Sequence, residues 1–280
     1  MQHSKPMLNI RTISAVVAVG LAAIYLTYIW RLDDKAHWGM SLIFGAAILS
    51  LLWDKDITIP KPQPAAIGLG AAIIAMVLAL SLQMADGETF VRLMPLLCGF
   101  GIAFIVAGFQ GLSVYRNELT LLFFLSVPRV IFSLIQDISP ITARFSAFLL
   151  WYIGYDPQVE GVLLKLEGQA IRVWEGCSGA ESICYMLGIA VVCLMLYPIQ
   201  GRALKIAAVG IAAFLGFVIN AVRVALLAVL VMKNNIDAFT YWHEGNGSLV
   251  FGTGSVALFG LLYWLASNQL FPENPVSSPE

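Results

Sequence analysis

The sequence predicts an all-α polytopic membrane protein with about eight transmembrane helices and a short β-hairpin-like loop outside the membrane. Hydrophobic residues fill 59% of the 280 positions and charged residues 12%, about half the ~25% of a soluble domain. Several charge-free runs reach the ~20 residues that a helix needs to cross a bilayer, which a soluble α/β protein with a greasy core would not contain. A polar segment at 158–174 interrupts these runs. Mean hydropathy is +0.83, and a net charge of −1 with a pI near 6.3 argues against a nucleic-acid partner. The lipid bilayer is the first partner that the composition implies.

Residues 1–11 form a polar start carrying Lys5 and Arg11. Residues 12–30 exceed the apolar core of a cleavable signal and have no small-x-small site behind them, so they read as a retained first span. Residues 38–53, 65–85 and 93–115 are spans two to four, with Lys61-Pro62-Gln63-Pro64 breaking the helix before the third. Residues 119–136 are interrupted by Pro128-Arg129, and 145–155 are too short to cross. Span five is therefore either kinked at Pro128 or followed by a re-entrant piece, whose backbone needs protein or water around it.

Segments 162–166 and 169–174 flank Glu167-Gly168, and their β-branched residues and turn favour a short hairpin. Residues 182–201 form span six, and 206–232 form span seven, which contains Arg223. A loop over 233–247 holds His243, and 245–272 is the last span. The Pro/Ser-rich tail, 273–280, reads as disordered. The whole of 1–272 is expected to be one membrane domain, with 156–176 as its extramembrane loop. Each side of the membrane receives seven Lys/Arg, so charge asymmetry assigns no orientation. Span lengths nonetheless place Cys177, Arg223 and His243 in one leaflet.

Of the four cysteines, Cys98, Cys184 and Cys193 lie inside apolar runs, where cysteine is a small buried hydrophobe. Cys177 stands at a boundary, between Gly176 and Gly179 and between Glu175 and Glu181. A helix N-terminus there favours thiolate and offers free N–H groups to an oxyanion, whereas the two carboxylates oppose ionisation. A cationic neighbour is then needed, and Arg223 is the candidate. A charge inside a span marks a functional site by default, against the plainer reading of an ion pair with Glu181. Arg129 shares this intramembrane character but can also end a helix beside Pro128. His243 suits general acid–base work on a nearby thiol. His37, beside Trp38, reads as an interfacial anchor and as a rival base. His243-Glu244 lacks the second histidine of a zinc protease motif, and the three histidines are dispersed, so neither metal nor cofactor is expected.

Cys177-Ser178-Gly179 behind a hairpin, Asn220-Ala221-Val222-Arg223 late in span seven and His243 before the last span resemble the exosortase/archaeosortase family. Leu121, Pro128, Gln136 and Gly154 also resemble that family's pattern, and the resemblance covers roughly 95–265. Two departures stand out: Gly176 replaces an alanine before the cysteine, and Ala180-Glu181 replaces an aliphatic–basic pair. The acidic Glu181 leaves the subfamily open, with a cyanobacterial-type exosortase as the expectation.

The resemblance implies a membrane cysteine transpeptidase of the bacterial plasma membrane, with its site on the extracytoplasmic side. Its catalytic residues would be Cys177, Arg223 and His243, with Arg129, Glu181 and Asn220 as substrate-binding candidates. Its substrates would be exported proteins ending in a Pro-Glu-Pro-type motif, a span and a basic tail, with an acceptor nucleophile of unspecified identity. The hairpin edge offers such a substrate a place to lie as an added strand. Two other classes compete: a small-solute transporter, which should show inverted halves with broken helices, and a non-catalytic assembly protein, which needs no thiol at the rim.

Overall fold

A computed structural model describes residues 10–53, 55, 61–83, 88–135 and 137–270. His3, Gln136 and the tail expected to be disordered lie outside the described residues. The chain divides into two units, residues 1–130 and 131–280.

The first unit opens with α1 (Ile10–Arg31), α2 (Lys35–Trp53), α3 (Pro64–Gln83) and α4 (Glu88–Ala107). A 3-10 turn leads from α4 into the short α5 (Gly111–Val114), and α6 (Arg116–Ile135) follows. Its core joins Leu21, Tyr25 and Ile29 of α1 to Ile74 and Val77 of α3 and Val91, Met94 and Cys98 of α4. Helices in lipid gain little from burying apolar surface, so small residues that let backbones approach matter more. Gly70 and Gly101 supply that contact between α3 and α4: a Cβ on Gly101 would lie 3.0 Å from the Gly70 carbonyl.

His37 is not the interfacial anchor expected from its place beside Trp38. It is 2% exposed, and its Nε2 lies 2.9 Å from the Tyr25 hydroxyl, which also contacts Ser41 at 3.1 Å. An imidazole can be buried there because hydrogen bonds satisfy it. Asp34 completes this polar layer, accepting from the His37 N–H at 2.9 Å and pairing with Arg92 at 2.7 Å.

The second unit continues with α7 (Ser139–Tyr152), β1 (Gln158–Glu160), β2 (Leu163–Leu166) and β3 (Gln169–Arg172). The remaining helices are α8 (Ala180–Leu196), α9 (Arg202–Met232), α10 (Ile236–His243) and α11 (Gly247–Leu270). The 31-residue α9 is its axis; α7, α8, α10, α11, β2 and β3 all pack on it. α6 runs unbroken through Pro128, and the 14-residue α7, about 21 Å long, is a separate helix too short to cross.

The strands form one antiparallel sheet in the order β1-β2-β3. Glu167 and Gly168 both have positive φ, 48° and 84°, as a two-residue type I′ hairpin turn requires. Leu164 and Leu166 are buried on Ala143, Ala147 and Leu150 of α7 and on Val224, Ala225 and Ala228 of α9. β1 has no clear signal in the sequence, because three residues are too few to show alternation.

Among the described residues, six helices are long and apolar enough to cross a membrane: α1, α2, α3, α4 with α5, α9 and α11. The 17-residue α8 is apolar but shorter. The expected span five corresponds to α6, which carries Arg116, Glu118 and Arg129 and falls outside those six. The architecture is that of an all-α polytopic membrane protein with a small sheet.

Candidate active site

Val173 extends the β2–β3 ladder by donating its N–H to the Val162 carbonyl at 2.9 Å. The chain then tightens into a 3-10 turn, Glu175–Cys177. The Cys177 N–H bonds to the Trp174 carbonyl at 2.8 Å, and the Ser178 N–H to the Glu175 carbonyl at 3.1 Å. Gly179, with φ +89°, reverses the chain into α8. Only glycine fits there, since a Cβ would lie 2.8 Å from Asn220 Nδ2 and the backbone is left-handed.

Neighbouring helices hold the turn by its carbonyls. Asn220 Nδ2 of α9 donates to the Cys177 carbonyl at 2.9 Å, and Thr142 Oγ1 of α7 donates to the Ser178 carbonyl at 2.5 Å. Ser146 Oγ ties α7 to α9 through the Ala221 carbonyl at 2.9 Å. Against Gly216 of α9, an added Cβ would lie 2.8 Å from the Ser182 carbonyl, so α8 starts almost backbone to backbone on α9. An Asn220→Ala substitution removes the donor that fixes the cysteine backbone and leaves a part-buried acceptor without it, at a cost of about 1 kcal/mol. The expected result is a folded protein, by size exclusion, whose Cys177 is alkylated at a changed rate; an unchanged rate would remove Asn220 from the clamp.

Where the sequence suggested a loop over 233–247, the chain folds back as α10. Asn234, at φ +53°, reverses it, and the Asn235 side chain caps the helix by accepting from the Ala238 N–H at 3.1 Å. The eight residues of α10 return by about 12 Å, while Arg223 lies nine residues, about 14 Å, before the end of α9. His243 therefore arrives level with Arg223. Its Nε2 stands 3.4 Å from Cys177 Sγ. Arg223 Nη2 donates to the His243 carbonyl at 2.6 Å and Nε reaches the Trp242 carbonyl at 3.4 Å. The guanidinium thus sits at the negative end of α10 and fixes the segment that carries the imidazole. Phe239, one turn earlier, stacks on the His243 ring with centroids 5.1 Å apart. Among the described residues His243 Nδ1 makes no hydrogen bond; it lies 3.4 Å from a Glu244 carboxylate oxygen, and Glu244 is 74% exposed.

Two expectations about the cysteine need correcting. Its thiol is not tuned toward thiolate: burial pushes its pKa above the ordinary value, and Arg223 only partly opposes this. α8 begins three residues beyond Cys177, so the thiol lies outside the first turn of the helix, where the dipole acts. The Cys177 and Ser178 N–H groups are also consumed within the 3-10 turn and cannot serve an oxyanion.

Of the other candidates, Glu181 is half-buried on the first turn of α8 and accepts from the Tyr185 hydroxyl at 2.9 Å. Asn220 is buried with its amide on the cysteine carbonyl. Arg129 is half-buried in α6, in the first unit. Thr142, Ser146 and Phe239 escaped the sequence reading. Their signal was nonetheless present: Ser139, Thr142, Ala143, Ser146, Ala147 and Leu150 form one helical stripe of buried residues, most of them small.

Together the fold and these contacts define a polytopic membrane protein whose second unit brings a half-buried thiol against an imidazole, next to an arginine of the long apolar helix α9. The transmembrane exosortase family model matches residues 29–260, most of the chain, and the protein belongs to that family. The match begins at residue 29, whereas the sequence resemblance covered 95–265, so it takes in α2 and α3 as well. No curated protein and no solved structure matches the chain.

Proposed function

We propose that this exosortase-family protein is a membrane-embedded cysteine peptidase or transpeptidase that cleaves the C-terminal sorting signal of exported proteins. The signal would combine a short Pro-Glu-Pro-type motif, a membrane span and a basic tail. The observation that carries this reading is the 3.4 Å approach of His243 Nε2 to Cys177 Sγ, which pairs a protonated thiol with its base. His243 takes the thiol proton while sulfur attacks the scissile carbonyl, forming the S–C bond. Two of the five Arg223 donors engage α10 among the described residues, and the others stabilise the oxyanion. The C–N bond then breaks, His243 returns the proton to the leaving amine, and a thioester remains on Cys177. An acceptor nucleophile, or water, takes the acyl group and regenerates the thiol. The site faces the extracytoplasmic side of a bacterial plasma membrane, and the chemistry uses no metal.

The test is co-expression with exported proteins of the same genome that end in motif, span and basic tail. Wild type is expected to shorten such a substrate through an acyl-enzyme that hydroxylamine releases; failure to shorten any of them overturns the reading. Arg223→Lys separates the two uses of the guanidinium. A lysine reaches one α10 carbonyl and lacks the remaining fork, so single-turnover cleavage should fall by about 10²-fold. A wild-type rate would confine Arg223 to structure.

A further inference from the structure

We infer that the open edge of β3 is the cradle for the substrate: an extended acidic segment of the exported protein adds to it as a fourth strand and is led to Cys177. This rests on the thiol-based reading above. The two edges of the sheet differ. Both edge strands rest on a helix, β1 on α7 and β3 on α9, but only β1 is preceded by a proline, Pro157. On β3, Gln169, Ala170 and Arg172 are exposed, and the strand has no proline or bulge of the kind that normally blunts an edge.

The register shows which backbone groups face outward. The two-residue turn makes Leu166 and Gln169 the closing pair, and the Val173 N–H bond to Val162 fixes the same phase at the other end. Gln169, Ile171 and Val173 therefore turn their N–H and C=O toward β2. Ala170 and Arg172 turn theirs outward. Two residues further lies Trp174, whose carbonyl already accepts from Cys177. A strand seated on Ala170 and Arg172 runs straight to the turn that carries the thiol.

The charge of the edge selects the occupant. Glu160 is matched by Lys165 at 2.6 Å, across β1 and β2. Arg172 is the sole charged side chain of β3, and among the described residues its guanidinium rests over the Trp174 ring, 4.3 Å from the centroid. Trp174 is itself 60% exposed. An exposed cation on an aromatic platform beside open backbone donors and acceptors fits an extended peptide with carboxylates on the facing side.

The test measures alkylation of Cys177 in the full-length protein in detergent, by mass spectrometry. Three kinds of probe are compared: chloroacetamide, an acidic pentapeptide with alternate glutamates, and its lysine counterpart. Each peptide is made both as an N-chloroacetyl derivative and as a C-terminal chloromethyl ketone, so either strand sense is sampled; rates are normalised to chloroacetamide. The acidic peptide in one sense is expected to exceed its lysine counterpart by at least about tenfold, because both make the same backbone hydrogen bonds but Arg172 attracts carboxylates and repels ammonium groups. Ala170→Pro removes an outward N–H that the β2 ladder does not use, and should erase that advantage. Arg172→Glu should reverse the charge preference. If chloroacetamide labels Cys177 but neither acidic peptide gains, or Ala170→Pro keeps the gain, the edge assignment is wrong while the nucleophile stands. If no probe labels Cys177, the nucleophile reading falls and this inference with it. Loss of a dimer in Ala170→Pro without loss of the peptide advantage would give the edge to a second copy of the chain and overturn the proposal.

Discussion

Cys177→Ala is expected to abolish processing of a sorting-signal substrate, by about 10⁴-fold or more, because the sulfur that the proposed mechanism makes the nucleophile cannot be replaced by water at the same position. The other cysteines offer no substitute within the second unit: Cys184 is buried and Cys193 half-buried, both inside α8. Simultaneous replacement of Cys98, Cys184 and Cys193 by alanine should therefore leave processing near wild type, apart from packing losses. Immunoblots for the shortened substrate, with size exclusion in detergent as the control for folding, decide the matter. Normal processing by Cys177→Ala would exclude sulfur chemistry at this position.

The second large effect is expected for His243→Ala, and its signature is in the pH profile. Burial raises the Cys177 pKa, so near neutral pH the sulfur holds its proton more firmly than an exposed cysteine would. With the imidazole present, 3.4 Å away, that proton has an acceptor as sulfur attacks. Without it the thiol must ionise into solvent, and processing should fall by about 10²–10⁴-fold at neutral pH. The sign of the recovery follows from the direction of the shift. Because the thiol pKa lies above its ordinary value, the variant should regain rate as the pH rises and keep climbing through the range where an exposed cysteine has levelled off. Rates of chloroacetamide alkylation across pH check this without any substrate. Superimposable profiles for wild type and variant would mean that His243 does not serve the sulfur.

The candidate site was more legible than its assembly. Cys177, Arg223 and His243 stood out because each is costly or unusual where it sits: a thiol at a boundary, a charge within a span and a histidine in a chain with few of them. Arg223 illustrates what remained hidden. Its burial within an apolar run was plain, yet its hydrogen bonds go to the last carbonyls of α10, an element that the sequence presented as a loop. His37 shows the converse. Its neighbour Trp38 suggested an interfacial role, but Tyr25 and Ser41, on α1 and α2, bury and satisfy it.

What the sequence determined by itself was the membrane class, the placement of most apolar helices, the Glu167-Gly168 turn and the identity of the three polar side chains. These follow from local physics: chain segments either match the thickness of a bilayer and the sterics of a tight turn or they do not. Only the tertiary structure decided that α10 folds back along α9, that the stripe Thr142–Ser146 clamps the cysteine turn and that the cysteine N–H is already spent. Those outcomes depend on which faces of separate helices meet, through backbone carbonyls that every residue carries alike, and no pattern of side chains along one segment encodes them.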